Sequence, residues 1–151
     1  ITTSEKITIT VNSHDDATVV GGVKDVILST TTAPSGYNLF MSMSGEDNKL
    51  YLDGDPTSEY YIAPTSIGAL DDNSWGYSLD PIFDYTAMPL VNNGLIVKQT
   101  EEAAVDEEIG VYYGIKVNED LPYGTYKGED KELVGAVDNQ DLANPNELCN
   151  K

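Results

Sequence analysis

The residues best suited to chemistry are acids and amides in three short polar clusters. The clusters are Glu46-Asp47-Asn48, Asp53-Gly54-Asp55 and Asp71-Asp72-Asn73. Their oxygen atoms are the ligands that Ca²⁺ prefers, and two such loops that meet at one end of a domain could share an ion. No cluster has the EF-hand spacing, so solvated acidic loops are the alternative interpretation. The calcium candidates are Asp53, Asp55, Asp71 and Asp72, and we expect no other metal or cofactor.

The sequence gives little support to catalysis. His14 is the only histidine, it lies in the polar stretch 12–16, and the chain has no Gly-x-Ser-x-Gly nucleophile motif. One histidine and one cysteine nearly exclude a zinc site of the usual kind. Carboxylate pairs for glycoside hydrolysis are available among 26 acids, but acids touch the apolar runs only at loop edges, where nothing would raise a pKa. We therefore predict no catalytic residues and a protein that is not an enzyme.

The chain is strongly acidic. It has 151 residues and a formal charge of −18, and all of its basic residues are lysines. This charge excludes nucleic acid as a partner, because phosphates need basic side chains, and it disfavours anionic membrane surfaces. No run approaches the roughly 18 apolar residues of a membrane helix, and no basic and then apolar leader is present. We expect no membrane insertion by this chain, with any export signal or anchor lying outside it.

The elements that must position these residues are strands, because large side chains alternate with small or polar ones. The alternating sets are Ile7, Ile9 and Val11; Tyr37, Leu39, Met41 and Met43; Trp75, Tyr77 and Leu79; and Ile109, Val111, Tyr113, Ile115 and Val117. A period of two is typical of half-buried antiparallel strands. Residues 50–52, 95–99 and 126–137 are further strand candidates.

Turn signals separate these runs. The dipeptides Gly21-Gly22 and Asn93-Gly94 predict tight hairpins, because both supply a positive φ at little cost. Loops are expected at 34–36, 53–56 and 122–124, where Pro, Gly and Asp cluster. Residues Thr100 to Ile109 favour either one short helix or an acidic loop between strands.

Together these features predict an all-β protein, an antiparallel, immunoglobulin-like β-sandwich of about seven to nine strands with at most one short helix. The sandwich domain covers 1–137, and 138–151 is a polar tail or linker. Cys149 lies in that tail and has no second cysteine to pair with. It is either an incidental residue or a thiol for intermolecular contact.

Four segments carry a resemblance to a known family. They are residues 34–39 (PSGYNL), 72–80 (DNSWGYSLD), 85–89 (YTAMP) and 113–126, which holds YGIKV and LPYGTY. Their order and spacing resemble a β-sandwich module in secreted surface proteins of candidate-phyla bacteria of the Saccharibacteria type. The family pattern runs TGY-L, NTWGYS-D, Y--MP and YG-K-----P-GTY-G. The resemblance covers about residues 5 to 137.

This resemblance implies an exported, immunoglobulin-like cell-surface module with a structural or adhesive role and no catalytic residues. The chain departs from the family pattern near its end. Family members close with an apolar TVTYTA strand, whereas this chain has the charged stretch Glu129 to Val134. We therefore expect a last strand that is short, bulged or exposed.

The stretch Leu121 to Tyr126 also resembles the closing hairpin of pilin domains from Gram-positive bacteria. Some of those domains join a Lys to an Asn through a buried isopeptide bond, with help from an acid. The residues available for such a bond are Lys6, Lys24 and Lys116, with Asn38 or Asn118. The reaction needs a desolvated, neutral amine, whereas Lys116 alternates with the apolar face and should point to solvent. Solvated lysines that discourage strand addition are the alternative.

The aromatic residues allow two interpretations. Trp75 alternates with Tyr77, which predicts core packing, with stacking on a sugar as the alternative. The pairs Tyr60-Tyr61 and Tyr112-Tyr113 each place one ring on each face of a strand. One tyrosine of each pair is therefore expected to be exposed, where it could contact another subunit.

These observations predict a non-enzymatic, extracellular structural protein of the cell surface: a pilus (fimbrium) or filament subunit, or a module of a surface adhesin. The expected partners are further copies or neighbouring surface domains, with a host or cell-surface glycan or protein as another class. Residues Ile1 to Val11 are a candidate for strand addition to a neighbour, and pairing within their own domain is the alternative. The second functional hypothesis is a calcium-assisted carbohydrate-binding module.

Overall fold

A computed structural model describes residues 1–2, 7–10, 18–43, 47–80, 84–90, 95–128 and 133–138, with side chains of Val19, Leu95 and 133–138 left out of the description. This part of the chain contains strands and turns but no helix. The strands are β1 (Val19–Thr31), β2 (Asn38–Met43), β3 (Leu50–Leu52), β4 (Tyr61–Pro64), β5 (Ser74–Ser78), β6 (Leu95–Gln99), β7 (Ala104–Val117), β8 (Tyr126–Lys127) and β9 (Leu133–Asp138). The all-β prediction is confirmed.

Two sheets form from these strands. The larger sheet has the order β1-β7-β5-β4-β3-β8, and it is mixed and curled. The smaller sheet has the order β6-β2-β9. The expectation of wholly antiparallel pairing is wrong, because β4 and β5 run parallel, with Ala63 opposite Ser74 and Pro64 opposite Trp75. The loop between them carries the chain back to the same end of the sheet, which a parallel pair requires.

The longest ladder joins β1 and β7. It runs from Val19 opposite Val117 to Thr31 opposite Ala104, with one irregularity near Ser29. The predicted hairpin at Gly21-Gly22 is wrong, because both glycines lie inside β1 and pair with β7. Glycine permits a turn but does not require one, and the long ladder with β7 stabilises the extended form.

The short helix, one of the two alternatives for residues 100–109, is not formed. Strand β7 begins at Ala104, and Glu107 and Glu108 pair with Ser29 and Leu28 of β1. The alternative, an acidic loop, is correct only for the residues before Ala104. Cross-strand pairing with β1 overrides the local helix preference of this acidic, alanine-containing segment.

The core lies between the inward faces of the two sheets. The alternation prediction is confirmed for β2 and β7, whose alternate side chains are buried: Tyr37, Leu39, Met41, Met43, Ile109, Val111, Tyr113, Ile115 and Val117. Trp75 and Tyr77 are buried on β5, whereas Leu79 is exposed because β5 ends at Ser78. The core-packing interpretation of Trp75 is therefore confirmed.

The N-terminal residues pack on their own domain where they are described. Thr2 forms two backbone hydrogen bonds with Leu28, at 2.9 and 3.0 Å, on the edge of β1 opposite β7. Ile7 and Ile9 pack against the core, while Thr8 and Thr10 are exposed. The predicted alternation of inward and outward side chains holds here, although residues 7–10 form no strand.

The predicted turns at 34–36 and 53–55 are confirmed. Asp53 and Gly54 have φ values of 56° and 73°, and the Asp55 N–H donates to the Leu52 carbonyl at 3.1 Å. Positive φ at both central residues defines a type I′ turn, which explains the Asp-Gly sequence. The loop at 122–124 is also confirmed between β7 and β8. The predicted Asn93-Gly94 hairpin lies outside the described residues.

Of the three alternatives predicted for the last strand, short, bulged or exposed, the register of β9 tests the bulge. Strand β9 pairs with all six residues of β2 and shows no irregularity in register, so it is not bulged. It ends at Asp138, close to the predicted domain boundary. The predicted tail beyond Asp138, including Cys149, lies outside the described residues.

Candidate functional site

The calcium candidates Asp53 and Asp55 lie in the turn that follows β3. The Asp53 N–H donates to the Thr125 carbonyl at 2.7 Å, which ties this turn to the segment before β8. The Asp55 carboxylate accepts hydrogen bonds from the Thr57 hydroxyl at 2.7 Å and the Thr57 N–H at 2.9 Å. These bonds lower the pKa of Asp55, with the hydroxyl as the larger cause. The carboxylate of Asp55 thus stabilises the conformation of its own loop.

The candidates Asp71 and Asp72 lie just before β5 and have separate partners. Asp71 accepts hydrogen bonds from the Ser66 hydroxyl at 2.5 Å and the Ser66 N–H at 3.0 Å, which lower its pKa. Asp72 forms an ion pair with Lys116, with 2.7 Å between Oδ1 and Nζ. Both acids therefore hold the loop between β4 and β5 in place.

The structure does not bring these acids together into a metal centre. Among the described residues, no group of three or more His, Cys, Asp or Glu side chains could hold a metal ion. A calcium ion takes about six to eight oxygen ligands. The third predicted cluster is similar: Asp47 accepts hydrogen bonds from the Lys49 N–H and the Tyr51 hydroxyl. His14 and Glu46 lie outside the described residues.

The best-developed polar cluster joins the two sheets. The Tyr37 hydroxyl, beside the first residue of β2, donates to Oε2 of Glu107 on β7 at 2.5 Å. Oε1 of Glu107 forms an ion pair with Nζ of Lys98 on β6 at 3.1 Å. We call Tyr37, Glu107 and Lys98 the inter-sheet cluster. Its carboxylate belongs to the larger sheet, Lys98 belongs to the smaller sheet, and Tyr37 directly precedes β2 of the smaller sheet.

The environment of the inter-sheet cluster shifts two pKa values in opposite directions. Burial, followed by the hydrogen bond to Glu107, raises the pKa of Tyr37 to about 12. The hydrogen bond from Tyr37 lowers the pKa of Glu107, and Lys98 adds to that effect. At neutral pH the cluster therefore holds a neutral tyrosine, a carboxylate and an ammonium group, a charge-assisted arrangement that stabilises the contact between the sheets.

A second polar contact between the sheets lies deeper. The Tyr113 hydroxyl on β7 donates to the Met41 sulfur on β2 at 3.7 Å. Burial, and then the nearby Asp25 carboxylate, raises the pKa of Tyr113. Asp25 points inward from β1 and is only 6% exposed. Burial also raises the pKa of Tyr77, the cross-strand neighbour of Tyr113. Tyr113, Tyr77 and Asp25 all lie on the inward face of the larger sheet, and the Met41 sulfur is the contact of Tyr113 on the smaller sheet.

Three of the residues considered for an isopeptide bond, Lys24, Lys116 and Asn118, have other partners. Lys116 lies on the outer face, as predicted, and pairs with Asp72. Nζ of Lys24 lies 5.5 Å from the ring centre of Tyr112, a cation–π contact. The Asn118 side chain accepts a hydrogen bond from the Asn73 amide at 2.8 Å. Lys6 lies outside the described residues. The structure therefore places none of the described lysines in the desolvated setting that the reaction needs.

The prediction that one tyrosine of each pair is exposed holds for one pair and fails for the other. Tyr113 is buried and Tyr112 is partly exposed, as predicted. Tyr60 and Tyr61 are both exposed, which corrects the prediction for that pair. Tyr60 precedes the first residue of β4, so the strand alternation does not extend to it. Tyr61 packs against Tyr51, with ring centres 5.9 Å apart.

Sequence reasoning missed the inter-sheet cluster, although two signals were available. A buried tyrosine needs a hydrogen-bond partner for its hydroxyl, and Tyr37 belonged to the predicted buried set. Glu107 lies two residues before Ile109, so an extension of the alternating strand would have turned its side chain inward. The assignment of residues 100–109 to a helix or loop concealed that second signal.

Comparisons of the chain with protein-family models, curated proteins and solved structures found no match. The resemblances seen in the sequence therefore remain predictions, and the contacts described above are the grounds for a functional proposal.

Proposed function

We propose that this chain is a non-enzymatic, extracellular structural module, either a pilus or filament subunit or a segment of a surface adhesin. The observation that carries the proposal is the long β1–β7 ladder. Strands of 13 and 14 residues pair antiparallel almost from end to end. Their hydrogen bonds are perpendicular to the strands, so a pull along the strands loads the ladder together rather than one bond at a time. Such a ladder resists extension, which is the property that a force-bearing module needs.

Two further features support this proposal. The Tyr126 hydroxyl donates to the Pro122 carbonyl at 2.8 Å, four residues upstream, which resembles the tyrosine corner of immunoglobulin-like sandwiches. The formal charge of −18 keeps an exposed protein soluble. We also propose an immunoglobulin-like sandwich as the finer description of the two sheets.

Single-molecule pulling tests the mechanical proposal. In a Cys149→Ser background, Val20→Cys with Val105→Cys attaches handles at opposite ends of the β1–β7 ladder and loads it in shear. Val20→Cys with Glu119→Cys attaches handles near the same end and peels the ladder open. All three positions are exposed, which limits the effect of the handles on folding. We expect rupture forces several times higher in shear, whereas equal forces would contradict the proposal.

A glycan array separates this proposal from the calcium-assisted carbohydrate-binding alternative. The array is probed with the purified chain in the presence of Ca²⁺ and again with a chelator. The structural proposal expects no calcium-dependent signal. Glycan binding that is abolished by chelation would favour the alternative, and Asp53→Asn and Asp71→Asn would then show which loop supplies the ligands.

A further inference from the structure

The outward face of the β1–β7 ribbon is an exposed surface with few acids. On β1 it presents Val20, Val26 and Leu28, which are 63%, 37% and 36% exposed. The only acid of β1, Asp25, points into the core. On a chain with a formal charge of −18, this absence of outward acids along β1 is unusual. Val26 and Leu28 are neighbours on this face, and exposed apolar side chains that lie together mark interaction surfaces.

The centre of this surface, around Val26, is nearly flat. Val26 lies opposite Gly110 on β7, which has no side chain to stand beside it. A Cβ atom on Gly110 would lie 2.9 Å from Cε of Lys24, so the stem of that lysine crosses the space which a side chain would fill. Another flat surface could therefore approach Val26 closely.

Charges flank this centre in a self-complementary way. Lys24 lies two residues from Val26 in one direction along β1, about 7 Å away. Glu108, which pairs with Leu28, lies the same distance in the other direction on the neighbouring strand. A two-fold axis through the level of Val26 therefore brings Lys24 of one copy beside Glu108 of the other, twice. An isologous interface requires this kind of self-complementary patch.

We propose that a second copy of this chain packs on this surface, face to face and antiparallel, with Val26 at the centre and two Lys24–Glu108 ion pairs beside it. This inference rests on the proposed structural function and names its contact surface. Packing through side chains is favoured over edge-to-edge strand pairing, because the Thr2 backbone already occupies the edge of β1 at Leu28. Like charge between copies confines the contact to a surface with few outward acids.

Charge reversal on the intact chain tests this arrangement. Lys24→Glu places a new carboxylate against Glu108 of the other copy, and Glu108→Lys sets two ammonium groups together, so each single variant should weaken association about tenfold. The double variant Lys24→Glu with Glu108→Lys restores opposite charges and should recover association. Lys127→Glu and Glu119→Lys are matched controls, because they change the net charge equally at exposed positions elsewhere.

Sedimentation equilibrium up to about millimolar concentration gives the dissociation constants, and circular dichroism checks that each variant folds. We expect a wild-type dimer, weakening in both single variants, recovery in the double variant and unchanged association in the controls. Val26→Asp should abolish association while the monomer remains folded. A wild-type chain that stays monomeric would overturn the inference, as would a dimer indifferent to these changes. The pulling experiment does not depend on dimerisation, so the proposed function stands or fails separately.

Discussion

At the residue scale, Glu107 gives the clearest link between chemistry and architecture. Its carboxylate belongs to one sheet, the lysine that binds it belongs to the other, and the tyrosine that binds it directly precedes a strand of that other sheet. The side chain of Glu107 is only 28% exposed, so solvent screens these contacts less than those of a surface ion pair. This single residue therefore makes the contact between the sheets sensitive to pH.

Acidification should weaken this contact. The folded state lowers the pKa of Glu107 from its ordinary value of 4.5, so the carboxylate stabilises the fold above that pH, and the stabilisation is lost as the pH falls through the folded pKa. At neutral pH we expect Glu107→Gln to cost about 1 kcal/mol. The difference between wild type and variant should shrink as the pH falls below 4.5 and then through the lowered folded pKa. Urea unfolding of both proteins at several pH values measures this difference in the free energy of unfolding.

Glu119→Gln is the control for this experiment, because it removes the same charge from an exposed loop. Its stability should follow that of the wild type at every pH. A difference between wild type and Glu107→Gln that stays constant with pH would contradict the assignment.

Gly36 is a second residue whose role can be tested alone. It has a φ of 83°, and a Cβ atom there would lie 2.1 Å from the Thr100 carbonyl oxygen. Gly36→Ala should therefore lower the free energy of unfolding by about 2 kcal/mol or more, from backbone strain and from displacement of Thr100. Thr32→Ala, at an exposed position close to the same turn, is the control. Equal stability of the two variants in thermal unfolding would show that the turn relaxes without cost.

At the element scale, β7 organises the fold. It is the longest strand, it pairs with β1 on one side and with β5 on the other, and its inward side chains are buried from Ile109 to Val117. Strand β8 has only two residues and lies at the edge of the same sheet. The two strands should therefore differ strongly in local stability.

Native-state hydrogen exchange measures this difference. Amides of β7 between Tyr112 and Lys116 should exchange only through global unfolding, because this part of the strand pairs with β1 on one edge and with β5 on the other. Amides of β8 should exchange faster, by local opening. Exchange of the β7 amides at the rate of β8 would show that the β1–β7 ladder opens locally, and it would also weaken the proposed mechanical role.

At the scale of the whole molecule, the charge of −18 dominates. The chain carries 26 acidic and 8 basic residues, so like charges repel over most of its surface. Three of the acids that could have formed a calcium centre have other partners: Asp55 binds Thr57 and Asp71 binds Ser66 within their loops, while Asp72 pairs with Lys116 of β7. General screening by salt, rather than binding of a particular ion, should therefore relieve the repulsion.

Salt should raise the melting temperature without preference for calcium. We expect NaCl, MgCl₂ and CaCl₂ at matched ionic strength to stabilise the protein similarly, because screening lowers the repulsion in the compact state. Differential scanning calorimetry measures the melting temperature. A stabilisation specific to Ca²⁺, and lost in Asp53→Asn or Asp71→Asn, would instead reveal a calcium site and favour the carbohydrate-binding alternative.

The sequence alone determined the all-β class, the inward-facing residues of β2 and β7, and the turn at Asp53-Gly54. These features depend on short-range rules: the period of two in a strand, and the backbone preferences of Asp and Gly. The same local rules failed at Gly21-Gly22 and at residues 100–109, where partners far along the chain stabilise extended structure.

Only the tertiary structure decided the parallel pairing of β4 with β5, the early start of β7 and the contact of Glu107 with Tyr37 and Lys98. Each of these features depends on residues that are distant in sequence. The residues of one strand do not by themselves indicate which other strands become its neighbours. The tertiary structure also decided the surface around Val26, because Lys24 and Glu108 flank Val26 only once β1 and β7 have paired in this register.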